Sequence, residues 1–235
     1  MEEAERLGVE LRTLRIERAQ LWFTDARGRP WRFAVLPERL DAEALRDGLP
    51  CEGDSVAASF LPYIRVFPDP SAVFPDPFAP VPTAAIMCDV TEGRDPGSAS
   101  PGARRTLRAA ADALESGRTG ASATLRVDAE FSVNGKDGRP AGEEACWDAL
   151  CDLRLALAAA GVRPRGFRFG PAPGQGRVRL GDSDPVRAAD QAVLFAGWAR
   201  ALAARRGLEL VFGLNDPYRA FAEAAAEASA FVTYA

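Results

Sequence analysis

With no histidine anywhere in its 235 residues, the chain must build any chemistry from carboxylates, cysteines, tyrosines and arginines. That absence removes at once the usual general base near neutral pH and the commonest metal ligand. Two carboxylates, Asp128 and Glu130, lie inside the strand-like run 123–133. Two apart on a strand, their side chains share one face, where they suit proton transfer or the oxygen ligation that a hard divalent cation demands. Arg168 and Arg177 fall in neighbouring strand candidates. They can pair with those carboxylates, receive an anionic ligand, or simply stand in solvent. The cysteines at 51, 88, 146 and 151 form no Cys-x-x-Cys pair and read as reduced thiols in or near the core. Gly174-Gln175-Gly176 is too short a signal for a nucleotide loop.

The elements that must position these residues begin with a β-rich unit. Residues 16–24 and 31–36 read as strands joined by the turn Asp25-Ala26-Arg27-Gly28, and a short helix capped by Asp41 follows. Seven prolines between Phe60 and Pro82 predict an extended crossing with one strand-like piece at 64–67, and place a domain boundary near residue 83. Residues 84–90 then read as the first buried strand of a second domain. Three helices announce their ends: Ser100-Pro101 to Gly117, a stripe of Cys146, Leu150, Leu153 and Leu157 stopping at Gly161, and Asp184-Pro185 to Gly207. Strand candidates at 123–133, 166–169, 177–180 and 209–212 alternate with them. The pattern predicts an α+β domain with an antiparallel or mixed sheet. An alanine-rich tail, 218–230, has helical propensity, and 230–234 is a candidate edge strand.

A net charge of −4 and scattered basic residues argue against a nucleic-acid partner. Lys136 is the only lysine, and the arginine and alanine excess reads as the codon bias of a GC-rich bacterial genome. No window approaches the roughly 20 apolar residues of a membrane span, and the N-terminus is acidic rather than shaped like a signal peptide. A soluble, cytoplasmic protein is expected.

Several collinear segments resemble the glutamine synthetase family. Cys51-Glu52-Gly53-Asp54-Ser55-Val56 is similar to its Phe-Asp-Gly-Ser-Ser-Ile loop, and Pro68-Asp69-Pro70-Ser71 to its Pro-Asp-Pro-Ser-Thr. Cys88-Asp89-Val90 looks like its Cys-Asp-Val strand, and Val127-Asp128-Ala129-Glu130-Phe131 sits where the family has Pro-Glu-x-Glu-Phe. Asp152-Leu153-Arg154, Ala172-Pro173-Gly174-Gln175, Ala189-Asp190 and Gly207-Leu208 follow in the same order. The resemblance implies a β-grasp N-terminal domain, residues 1–83, and a shortened catalytic domain, residues 84–235, with a curved, mainly antiparallel sheet and helices on one side. It also implies an oligomer, formed with copies of itself or with a related chain, in which neighbours share a site.

The family activates a carboxylate as an acyl phosphate and lets ammonia displace the phosphate, using two divalent metals and ATP. By the resemblance, Asp128 and Glu130 keep its Glu-x-Glu pair, with Asp128 drawn back by roughly 1.5 Å. Its His-His-Glu falls on Phe167, Arg168 and Phe169, and the glutamate after its Gln falls on Arg177. A cation where a carboxylate should hold metal costs several kcal/mol by like-charge repulsion. Gly213-Leu214-Asn215-Asp216 replaces Met-Pro-Lys-Pro, and later family segments have no counterpart in the sequence. Glu52 takes the place of the loop aspartate that accepts a proton from ammonium; Gly174 and Gln175 either line a ligand or only shape a strand connection. The expectation is therefore a degenerate, non-catalytic binding or assembly subunit with no metal or cofactor, Mg and ATP entering only if the family chemistry survives. Its ligand would be a small amino acid or amine. The alternatives are an ATP-independent enzyme acting on a small amino compound in a biosynthetic pathway, with Asp128, Glu130 or Glu52 moving protons, and a partial ligase completed by a partner chain.

Overall fold

A computed structural model describes residues 3–25, 29–51, 64–92, 100–117 and 122–213. The chain forms two compact units that divide between Ala113 and Leu114. In the first, α1 (Glu3–Thr13) precedes the antiparallel hairpin of β1 (Arg18–Thr24) and β2 (Pro30–Val35), then α2 (Ala42–Asp47) and the two-residue β3 (Leu49–Pro50). β4 (Ile64–Pro75), β5 (Thr83–Glu92), the short β6 (Ser100–Pro101) and α3 (Ala103–Ser116), in whose last turn the division falls, complete it. The sheet order is β2-β1-β5-β4-β3, with β6 beside β5, and β1 and β5 are parallel.

Asp25 closes the first hairpin from within. Buried, it accepts from the Arg29 N–H at 2.9 Å, the Arg29 guanidinium at 2.7 Å and the Trp31 indole at 3.2 Å. The expected cap of α2 forms, with Asp41 accepting from the Ala44 N–H at 2.9 Å. Leu7 and Leu11 of α1 join Leu21, Phe23, Phe33, Val66 and Ile86 in the core, where Phe23 and Phe33 meet edge to face.

Three expectations are corrected here. The proline-rich segment is a 12-residue strand rather than a crossing. β3 pairs only Val66 and Arg65 of β4, so most of that edge makes no ladder bonds among the described residues and prolines cost little there; an irregularity between Pro68 and Val73 absorbs the rest. Residues 84–90 do not open the second unit, because β5 is hydrogen bonded between β1 and β4 at the centre of the first sheet. Ser100-Pro101 does not cap a helix but pairs with β5, and α3 starts at Ala103.

The second unit contains β7 (Asp128–Gly135), α4 (Glu143–Ala159), β8 (Pro164–Phe169), β9 (Gln175–Leu180), α5 (Pro185–Arg205) and β10 (Leu208–Phe212). Its four strands run β10-β7-β9-β8, every pair antiparallel, as expected. Alternation splits the sheet into two faces. Ala129, Phe131, Val133, Val178, Leu180, Leu210 and Phe212 are buried on the side where α4 and α5 pack. The predicted stripe of α4 is all buried, and Asp184 caps α5 by accepting from the Arg187 N–H at 3.0 Å with Pro185 in the first turn. Cys88 and Cys146 are buried, Cys51 is partly so, and Cys151 is exposed on α4, against the expectation of a near-core thiol. No helix among the described residues is long and apolar enough to cross a membrane. The turn residues 26–28, the loop carrying Glu52, and the tail beyond Gly213 lie outside the described residues.

Candidate functional site

The opposite face of the second sheet carries charge. Asp128 and Glu130 point there from β7, and the antiparallel register sets Arg179 opposite Asp128 and Arg177 opposite Glu130. One strand further, Arg168 lies opposite Arg177 and Gly166 opposite Arg179. Paired strands stand about 5 Å apart, so all these side chains crowd into one patch.

Both Asp128 oxygens are occupied. Arg179 donates to Oδ1 from Nε at 2.8 Å and to Oδ2 from Nη2 at 3.2 Å, while Arg177 donates to Oδ2 at 3.0 Å. The Arg179 hydrogen bonds hold the Asp128 carboxyl below the usual carboxylate range against the opposing effect of burial, with the two guanidinium charges adding to them. Glu130 is looser: about half exposed, it reaches Arg177 only at 3.7 Å. Behind them Arg126 and Arg165 share Asp182 at 2.8 and 3.4 Å, and the Arg126 bond lowers that carboxyl too.

Arg168 is different. It makes no ion pair with any described carboxylate. Together with Arg126, Arg165, Arg177 and Arg179 it lines a cleft of about 240 Å³ over Asp128 and Gly166. A neighbouring cleft of about 340 Å³ runs along Glu130, Ser132, Phe169, Gln175 and Gly213.

The expected site residues thus separate into groups. Asp128, Glu130, Arg168 and Arg177 are brought together, with Arg177 rather than Arg168 bridging both carboxylates. Gln175 lines the second cleft. Gly174 faces no ligand space: its φ is +75°, its carbonyl accepts from the Val133 N–H at 2.8 Å, and an added Cβ would meet the Val133 oxygen at 2.5 Å. It shapes the connection between β8 and β9. Glu52 lies outside the described residues. Sequence reasoning missed Arg126, Arg165, Arg179 and Asp182. The available signal was the spacing of Arg177 and Arg179, which on a strand puts both on the Asp128 face.

The residues do not fit a divalent cation as they stand. Magnesium requires a near-octahedral shell of oxygens, and here guanidiniums take both oxygens of the better-placed carboxylate. Among the described residues no group of three or more His, Cys, Asp or Glu side chains is placed to hold a metal.

No protein-family model matches the chain. A γ-glutamylpolyamine synthetase, GlnA3, of Streptomyces coelicolor is 45% identical over 65 residues, 28% of this chain and 14% of that protein. A solved structure titled GmaS/ADP complex, conformation 1, superposes with a TM-score of 0.69 and 19% identity, covering 87% of this chain and 50% of its own. The chain therefore spans half the length of that structure and a small fraction of the curated relative.

Proposed function

We propose that this glutamine synthetase-like chain is a binding or assembly subunit that does not itself run metal- and ATP-dependent ligation. The observation that carries the reading is the arginine clamp on Asp128. For a metal to enter, two guanidiniums must leave a carboxylate they satisfy from both sides, and their own charge would then sit beside the incoming cation. Arg177 also neutralises Glu130, so the surviving pair serves the sheet's charge balance rather than a metal shell. Assembly with copies of itself, or with a related chain, in the cytoplasm is part of the same reading. The relative is named for a γ-glutamylpolyamine, but a polyamine is a cation, and a cleft with five arginines repels it.

ADP release from MgATP with glutamate and ammonium, measured alongside native mass spectrometry, tests the proposal. No turnover and a multi-chain assembly are expected. Turnover by the isolated chain, or two bound magnesium ions, would sink it, and a lone monomer would remove the assembly part.

Glu130 supports a second reading, an ATP-independent catalyst acting on a small amino compound. Half exposed and loosely held, it borders the larger cleft with Ser132 and Gln175 and could take or give a proton there. Under that reading Glu130→Gln abolishes turnover of the amino compound, whereas Asp128→Asn acts only through the clamp. Equal activity in both variants removes it.

A further inference from the structure

We infer that the open face of β8 and β9 binds a small oxyanion with two or more negative charges, a phosphate compound or a di- or tricarboxylate. The inference rests on the reading of this face as a metal-free binding site, and names the class of ligand it takes.

Charge carries the argument first. Five guanidiniums converge on the cleft, where Asp128 serves two of them and Asp182 serves two others. Even with Glu130 counted at the rim, two positive charges remain in excess among the described residues, in a protein whose net charge is −4. Arg168 has no carboxylate of its own among the described residues and stands in register against Arg177, so two like charges face each other across adjacent strands. An anion entering between them relieves that repulsion and accepts charge-assisted hydrogen bonds from planar donors, which a carboxylate or phosphoryl group matches two at a time.

Space carries it next. Gly166 is the cleft residue opposite Arg179, and a Cβ added to it would meet nothing within 4 Å. The glycine has no steric duty to the fold, and it leaves room above the strand between Arg165, Arg168 and Arg179. The cleft of about 240 Å³ admits a small multivalent anion. A monovalent ion would leave part of the excess charge unbalanced.

Titration calorimetry at low salt on the full chain, with pyrophosphate in one arm and citrate in the other, tests this. A MgATP turnover assay on the same preparation keeps the two readings separable. At least one anion is expected to bind, with the stronger arm naming the source. Arg168→Gln and Gly166→Val should each weaken binding about tenfold or more, the first by losing charge-assisted bonds and the second by filling the space with every arginine intact. Arg139→Gln, an exposed arginine outside the cleft, should leave it unchanged. The variants' melting curves confirm folding, and Gly166→Val, in a strand position that favours β-branched residues, should melt no lower than the parent. No heat in either arm, or binding untouched by both cleft variants, overturns the inference while the non-ligase reading stands. ADP release with magnesium overturns that reading instead.

Discussion

Arg104→Met probes the cluster that fixes Asp69 and Asp89, the two acidic residues of the segments resembling Pro-Asp-Pro-Ser-Thr and Cys-Asp-Val. Arg104 on α3 has a side chain only 5% exposed and reaches Asp69 at 2.7 Å and Asp89 at 2.8 Å. Arg108, one turn on and 38% exposed, reaches Asp69 at 2.6 Å and Asp89 at 3.7 Å. Removing one partner of a buried ion pair costs about 3–5 kcal/mol, because the remaining charge is stranded. Here Arg108 still holds Asp69, and Asp89 is 22% exposed, so the loss falls at the low end, about 3 kcal/mol, with methionine preserving much of the stem packing. Arg108→Met, acting on a half-solvated donor, should cost about 1 kcal/mol. Urea unfolding followed by tryptophan fluorescence, to which Trp22 and Trp31 of this unit contribute beside Trp147 and Trp198 of the other, measures the two. Burial pushes the Asp69 carboxyl up, but Arg104 and the Ser71 hydrogen bonds outweigh it and hold the group well below the usual range. A carboxylate depressed in the folded state contributes stability above its unfolded pKa, near 3.9, and that contribution fades as pH falls from there toward the folded value. The wild type should therefore lose this stability only below about pH 4, and Arg104→Met should flatten that acid limb. A cost for Arg104→Met below about 1 kcal/mol, or equal costs for the two variants, would refute the reasoning.

Arg177→Glu places a third carboxylate in register with Glu130 and removes one of the two donors to Asp128 Oδ2, leaving Arg179 on the carboxylate, so only weak manganese binding should appear by calorimetry or paramagnetic resonance where the parent shows none. Gly174→Ala should lower stability by about 2 kcal/mol or more, because it combines a positive φ with a 2.5 Å approach to a backbone oxygen; a melting point matching the parent would contradict that geometry. Asp184→Ala removes the cap of α5 and should cost about 1 kcal/mol, read by chemical denaturation, with Asp184→Asn recovering most of it.

Much of the second unit was legible because its signals are local. The 4-3-4 spacing of Cys146, Leu150, Leu153 and Leu157 needs no partner to specify a helix face, and Asp184-Pro185 marks a helix start by its own chemistry. The first unit hid what depends on neighbours. A proline run reads as a breaker until a nearly unpaired sheet edge makes it harmless, and Ser100-Pro101 looks like a cap until β5 takes it as a strand. α1 escaped notice because Leu7 and Leu11 make only a short stripe amid charge. At the site, Asp128 and Glu130 were visible through the resemblance of 127–131 to Pro-Glu-x-Glu-Phe, with the two-residue spacing placing both on one face. Arg179 and Asp182 acquire meaning only through cross-strand register and side-chain reach, which no linear pattern supplies.

That register also explains how a sheet can change what it binds without changing its fold. The buried face is held by Ala129, Phe131, Val178 and Leu180 against the helices, and strand alternation turns the charged side chains one residue away to the other face. Inverting charge at positions 177 and 179 leaves the apolar contacts intact, because alternate residues point to opposite faces. The consequence is not neutral for the open face. A carboxylate at 177 would join Asp128 and Glu130 in an oxygen cluster that requires a cation, whereas arginines at 177 and 179 consume Asp128 and, with Arg168, require an anion. Reversal at 177 alone leaves Arg179 on both Asp128 oxygens, so a strong cation site needs both positions changed, and a single substitution should give only a weak one.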